Sequence, residues 1–164
     1  MRQVSMLDFV TLVAAIGCGV VAGVLFAFST FVMKALGNLP PAQGIAAMQS
    51  INVAVINPWF MAVFLGTAAA CVCAMIASLL SSSGPGAWYL LAGSVLYLAG
   101  AVLVTLLFNV PRNDALAAVS PASPETARLW AAYLSTWTAW NHVRTTAALA
   151  AAVLFTLGFR FRTQ

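Results

Sequence analysis

The side chains best suited to chemistry are concentrated in one stretch of the chain, residues 137–145. This stretch contains the only histidine, His142, together with Asn141 and Arg144. An imidazole can transfer a proton near neutral pH, and a guanidinium or an amide can stabilise negative charge. Because an almost uncharged apolar segment follows directly, we expect a reaction or binding site at the mouth of a membrane helix.

Helical spacing divides this stretch into two neighbouring faces. Four residues that are three or four positions apart share one face: Trp137, Trp140, Asn141 and Arg144. An adjacent stripe contains Thr138, His142 and Thr145. Arg144 would lie about a turn inside the apolar region, where an arginine usually faces the protein interior or a water-filled cavity. Snorkelling of the arginine and a membrane-belt role for the tryptophans are the alternative.

The composition is that of an integral membrane protein. The chain is 63% hydrophobic and 6% charged, with a mean hydropathy of +0.99. Its 164 residues allow four membrane spans and short connections, so we expect a single domain over residues 1–164. The basic residues are scattered rather than clustered, which argues against nucleic-acid binding and favours the lipid bilayer as the partner.

The apolar pattern predicts an all-α fold, a four-helix membrane bundle. Four runs are long enough to span a bilayer: residues 9–33, 58–80, 88–108 and 142–161. Residues 42–56 predict an interfacial helix, and residues 124–141 predict an amphipathic extension that makes the final helix long. Asn109-Val110-Pro111 is expected to end the third span.

Small residues in the spans have a packing interpretation. Gly19 and Gly23 form a G-x-x-x-G pair, which we expect to pack inside the bundle; a homo-oligomer interface is the alternative. Cys18, Cys71 and Cys73 lie in apolar runs and predict small packing residues. A lone histidine without a carboxylate at ligand spacing predicts no metal site.

Topology gathers the polar residues at one end of the bundle. The first and third connections of a four-span protein emerge on the same membrane face. Besides the stretch 137–145, that face collects Asn52, Asn57, Asn109, Arg112, Asn113 and Asp114. Helix capping and turn formation are the alternative roles for the asparagines.

The basic residues outside the spans are split almost evenly between the two faces. One face has Arg2, Arg160 and Arg162, and the other has Lys34, Arg112 and Arg128. From the positive-inside rule we expect both termini on the cytoplasmic side of a bacterial cytoplasmic membrane.

Two polar motifs carry a family resemblance. They are Asn109-Val110-Pro111-x-Asn113 and Trp137-x-x-Trp140-Asn141-His142-x-Arg144-Thr145, supported by Gly23-Val24-x-Phe26 and Met48-Gln49-x-Ile51-Asn52. Together they resemble the anthrone oxygenase-like family of small four-span membrane proteins, over nearly the whole chain. Characterised members convert anthrones to anthraquinones with molecular oxygen, without an evident metal or flavin.

The resemblance implies a cofactor-free oxygenase acting on a planar hydrophobic aromatic small molecule. Against that chemistry, His142 is the candidate base that removes a proton alpha to the carbonyl group. The candidate groups for the resulting oxyanion are Arg144, Asn141, Asn109 and Asn113. The candidate substrate-binding residues are Trp137, Trp140, Asn52 and Phe31. The alternative is a non-enzymatic membrane protein that binds a hydrophobic ligand or partner at the same mouth. A transporter is disfavoured because Asp and Glu are absent from mid-membrane.

Overall fold

The computed structural model describes residues 5–80, 85–120 and 125–163. Within these residues the chain forms five helices and no strand. They are α1 (Met6–Gly37), α2 (Pro41–Ala54), α3 (Pro58–Leu80), α4 (Gly86–Ala117) and α5 (Thr126–Thr163). Four of them, α1, α3, α4 and α5, are long and apolar enough to cross a membrane. The all-α, four-helix membrane bundle predicted from the sequence is therefore confirmed.

The four long helices form a closed ring in which each packs against two neighbours. α1 packs against α3 and α5, α4 packs against α3 and α5, and the most extensive contacts are those of α5 with α1 and α4. The centre of the ring is filled by buried side chains such as Val21, Tyr97 and Phe155. Cys18 and Cys71 belong to this core, whereas Cys73 is exposed.

A second apolar core lies where α2 covers the first half of α5. Ile45 and Met48 of α2 are buried against Trp130, Tyr133 and Trp137 of α5. The close approach depends on Gly44, since a Cβ atom there would lie 2.7 Å from the Trp130 ring. By covering the first half of α5, α2 helps to bury the polar side chains beneath it.

The helix that contains the third predicted span does not end at the Asn109-Val110-Pro111 sequence. The helix continues to Ala117, with a π-helical segment over Thr105–Asn109 and α-helix from Val110. Pro111 falls in the first turn of that α-helical segment, where its missing N–H is tolerated. The wider π turn before it accommodates the change in hydrogen bonding.

The expected packing of Gly19 and Gly23 inside the bundle is also wrong. Both glycines are exposed, and a Cβ atom on either would meet nothing within 4 Å. The close contact is made instead by Gly17, where a Cβ atom would lie 2.0 Å from Thr67 Oγ1 of α3. The G-x-x-x-G spacing identified small residues in the correct helix, but not the face that packs.

The end of the bundle away from α2 is held by an ion pair between the first and last helices. Arg162 Nε lies 3.4 Å from Asp8 Oδ1, and Asp8 is buried. Asp8 also accepts a hydrogen bond from the Ser5 backbone N–H, and Ser5 Oγ accepts one from the Asp8 N–H. This capping box fixes the start of α1 against the end of α5.

The different environments of Gly17 and Gly19 predict different effects of substitution by alanine. Gly17→Ala should lower the stability of the bundle by about 1–3 kcal/mol, because rotating Thr67 still leaves its Cβ 3.0 Å from the new methyl group. Gly19→Ala is the matched control and should not lower stability. Thermal unfolding of the detergent-purified proteins, followed by circular dichroism, measures both; equal melting temperatures would contradict the packing described.

Candidate functional site

The centre of the polar region is a buried arginine. The Arg144 side chain donates to Thr105 Oγ1 at 3.1 Å and to Asn141 Oδ1, and the residue is only 7% exposed. Its Cζ atom lies 5.2 Å from the centroid of the Trp137 ring, within cation–π range. No described acidic residue forms an ion pair with Arg144. Neutral oxygens and an aromatic face therefore stabilise the charge.

Asn141 connects this arginine to α1. The residue is 0% exposed, and its Nδ2 donates to Leu25 O and to Ser29 Oγ, each at 2.7 Å. Thr145 Oγ1 donates to the Asn141 carbonyl at 2.8 Å and lies 3.0 Å from Ser29 Oγ. Because the Thr145 proton is already used, Ser29 is the donor in that contact. A continuous hydrogen-bond network thus runs from Arg144 to Ser29.

π-helical segments lie on both sides of this network. Ser29 belongs to the segment Phe28–Val32 of α1, and Thr105 belongs to Thr105–Asn109 of α4. A π turn changes the direction in which the following side chains point, and such turns are frequent at functional sites. Here they bring hydroxyl groups from two helices to the polar face of α5.

The asparagines of the α4 motif hold the tryptophan and tyrosine of α5. Asn109 Nδ2 donates to the Trp137 carbonyl at 3.3 Å. Asn113 Oδ1 accepts from Tyr133 Oη and from Trp137 Nε1, both at 2.8 Å. The Asn52 side chain of α2 faces the same Tyr133 hydroxyl. Asn109 and Asn113 therefore anchor α4 to α5.

The aromatic residues predicted to bind substrate occupy different environments. Trp137 is buried beside Phe28, with ring centroids 5.9 Å apart. Trp140 is stacked on Phe108, with centroids 3.6 Å apart and ring planes within 9°. Phe31 is 61% exposed. The two tryptophans thus have protein partners, and Phe31 lies on the outer surface.

His142 lies on the other side of α5 from Arg144. The two residues are two positions apart, which is about 200° around a helix. The imidazole is exposed and forms no hydrogen bond with the described residues. It lines a groove between α1 and α5 with a cavity volume of about 670 Å³. Lining residues from α1 are Ser29, Thr30, Met33, Lys34 and Gly37, followed by Asn38; those from α5 are Ala131, Leu134, Ser135, Thr138, Ala139 and His142.

The structure therefore divides the sequence-predicted site residues into two groups. Arg144, Asn141, Asn109 and Asn113 belong to the interior cluster with Trp137, whereas His142 faces the groove. Ser29 belongs to both, because it lines the groove and bonds to Asn141. The groove residues Lys34, Ser135 and Thr138 were not assigned a role from the sequence, although helical spacing placed Thr138 on the same face as His142. Extending that face by three residues before Thr138 would have found Ser135.

Two hydroxyl groups of the groove are available to form hydrogen bonds with a ligand. Ser135 and Thr138 form no side-chain hydrogen bond to any described residue, and both lie on the His142 side of α5. In the described part of the chain no three His, Cys, Asp or Glu side chains come together as potential metal ligands. The groove combines one imidazole with several neutral donors, which suits proton removal from a ligand whose oxygen atoms are held by hydrogen bonds.

The family model described as anthrone oxygenase matches residues 59–154, more than half of the chain. The match includes both polar motifs and all of the groove-lining residues contributed by α5. No curated protein and no solved structure gives a significant match.

The hydrogen bond between Asn141 and Arg144 predicts strong energetic coupling. Asn141→Leu should cost about 3 kcal/mol of stability, because it leaves a buried guanidinium without one of its acceptors. Adding Arg144→Met should cost less than it does alone, giving a coupling energy above about 1 kcal/mol. Chemical denaturation of the four proteins of the double-mutant cycle measures this energy.

A matched cycle with Arg112→Met provides the control for removing a positive charge. Arg112 donates to the Phe108 carbonyl and lies outside the network. Its effect should add to that of Asn141→Leu within about 0.5 kcal/mol. If the effects of Asn141→Leu and Arg144→Met on stability were also additive, Asn141 and Arg144 would not be energetically coupled.

Proposed function

This chain belongs to the anthrone oxygenase family, and we propose on that premise that it is a membrane-embedded oxygenase. Its substrate would be a planar phenolic ketone of the anthrone type, oxidised by molecular oxygen without a metal or flavin. The main support for the proposal is the groove between α1 and α5, which is lined by the only histidine of the chain and by several hydroxyl groups.

The first step of the proposed reaction is removal of a proton from the methylene carbon of the central ring. His142 is the base, since its imidazole lines the groove and has no partner among the described residues. Loss of the proton leaves an enolate whose negative charge lies largely on the carbonyl oxygen. Ser135 and Thr138 donate to that oxygen through their unused hydroxyl groups, which lowers the barrier for deprotonation.

The remaining steps need only oxygen. The enolate transfers one electron to molecular oxygen, and the resulting radical pair combines to form a carbon–oxygen bond. Protonation by the imidazolium of His142 gives a hydroperoxide, which loses water to form the second carbonyl group. In total, one methylene group and one oxygen molecule give one carbonyl group and one water molecule, so the atoms and electrons balance.

In this proposal the interior cluster positions the groove and does not contact the reacting carbon. Arg144 holds Asn141, and Asn141 holds Ser29 on the groove wall. Asn109, Asn113 and Trp137 keep α4 against the same part of α5. Substitutions in the cluster are expected to act through the shape of the groove, and therefore through stability as well as turnover.

The decisive measurement is oxygen consumption by the detergent-purified protein with emodin anthrone. His142→Ala should lower kcat at least about 100-fold, the usual effect of losing a general base, and added imidazole should restore part of it. Replacing the methylene hydrogens by deuterium should slow the wild-type reaction if deprotonation limits the rate. Thr136→Val is the control, because Thr136 is exposed, bonds only to Ala132 O and lies outside the groove.

Two results would count against this assignment. Full turnover by His142→Ala would show that His142 is not the base. Saturable binding of the anthrone without oxygen uptake above the uncatalysed background would favour the alternative, a non-enzymatic protein that binds hydrophobic ligands. The open, partly polar groove is the feature that both functions would use.

A further inference from the structure

The groove runs between the antiparallel helices α1 and α5. Its two ends differ, and we call them the inner end and the outer end. The hydrogen bond from Asn141 to Ser29 marks the inner end, next to the level of His142. The outer end is marked by Gly37, where a Cβ atom would lie 3.2 Å from Leu134 Cδ1. A ligand lying along the groove would therefore present one end to the imidazole and the other toward the end of α1.

Lys34 lies on the outer part of this groove. It follows Ser29 by five residues, which is about 7 Å along a helix axis. The ammonium group is exposed, and no described acidic residue forms an ion pair with it. Asn38, one turn further along the chain, adds an amide to the same wall. The outer end thus presents a positive charge and a hydrogen-bonding group, while the inner end presents the imidazole.

No carboxylate opposes this charge within the groove. The three acidic residues of the chain are Asp8, Asp114 and Glu125, and none of them lines the groove. Asp8 pairs with Arg162 at the far end of the bundle. A cleft with charge of one sign and low-dielectric walls concentrates ligands of the opposite charge. The groove is therefore suited to a ligand that is apolar along its length and anionic at one end.

We propose that the preferred substrate is an aromatic ketone with an ionised ring carboxylate, which pairs with Lys34. This inference rests on the proposed function and adds the substrate class and the direction of binding. Pairing of the carboxylate with Lys34 places the ring system beside the wall of the groove that carries His142, Ser135 and Thr138. Lys34 is thus a specificity-determining residue that binds one end of the substrate without taking part in proton transfer.

The test compares an anthrone with the same anthrone carrying one ring carboxylate, using protein in nanodiscs of zwitterionic lipid. For the wild type, KM should be lower for the carboxylated compound. Lys34→Met should raise that KM about tenfold or more, the loss expected for one charge-assisted contact, and should change KM for the neutral compound much less. Lys34→Arg should retain most of the preference, because it keeps the charge.

Arg128→Gln is the matched control for overall charge. Arg128 is exposed on α5, lies outside the groove and has the same charge as Lys34. Its removal should leave the preference for the carboxylated compound intact. An equal loss of preference in both variants would assign the effect to the general field of the protein and overturn the role of Lys34. No preference in the wild type would overturn the substrate class.

A lipid headgroup could supply the same negative charge, so the assay is repeated in nanodiscs that contain an anionic phospholipid. If Lys34 binds the substrate, a modest rise in KM for the carboxylated compound is the only expected change. If anionic lipid binding is reduced by Lys34→Met while the substrate preference is unchanged, Lys34 is a lipid contact and the proposal is wrong.

Binding of the oxidised quinones separates this inference from the proposed function. Equilibrium dialysis with the neutral and carboxylated anthraquinones requires no turnover. Tighter binding of the carboxylated quinone, lost in Lys34→Met, would support the anion site even if neither anthrone consumed oxygen. Oxygen uptake with equal affinity for both quinones and equal KM for both anthrones would support the oxygenase and reject the anion site.

Discussion

The buried guanidinium of Arg144 imposes the strictest requirement on this structure. A charge removed from water must regain its hydrogen bonds from the protein, and no described carboxylate is available to it. Asn141 and Thr105 supply oxygen acceptors from two different helices, and Trp137 supplies an aromatic face. These contacts leave Arg144 Nε without a hydrogen-bond partner among the described residues, and they form only when α4 and α5 are aligned at this level. The relative positions of the helices are therefore set by a polar contact as well as by apolar packing.

The same requirement gives a reason for two of the three described π-helical segments; the third, Leu96–Leu103 of α4, contributes no side chain to this network. Thr105 lies in one π-helical segment and Ser29 in another, and both hydroxyl groups reach the polar face of α5. A π turn has poorer backbone hydrogen bonding than an α turn, so it persists where surrounding contacts compensate for it. Hydrogen bonds from Arg144 and Asn141 provide that compensation. The π-helical segments and the buried cluster stabilise each other.

Much of the fold and part of the site could be predicted from the sequence. Long apolar runs are a strong signal, and spacings of three and four residues correctly placed Asn141 and Arg144 on one face of α5. The same rule separates His142 from Arg144 by about 200°, but a sequence does not say which neighbouring helix each face meets. That depends on the α1–α5 contact, which brings Lys34 and Ser29 beside His142.

The wrong predictions have a common physical origin. Pro111 was expected to end a helix, but the π turn before it was not visible in the sequence. Gly19 and Gly23 have the spacing of a packing motif, yet Gly17 faces α3. In each case the local pattern was sound, and a feature outside it decided the outcome. That feature was the π turn before Pro111 in one case and the rotation of α1 about its own axis in the other. Small changes in that rotation come from contacts distant in the chain.

The ion pair between Asp8 and Arg162 has a consequence for biosynthesis. Of the five described helices, α1 is synthesised first and α5 last, and the most extensive contact of α1 is with α5. Arg162, which pairs with Asp8, and Asn141, which bonds to Leu25 and Ser29, are therefore synthesised only after three intervening helices. Until then, water or temporary contacts must cover the polar groups through which α1 later contacts α5. Closure of the ring, and with it formation of the groove, is possible only after α5 has been made.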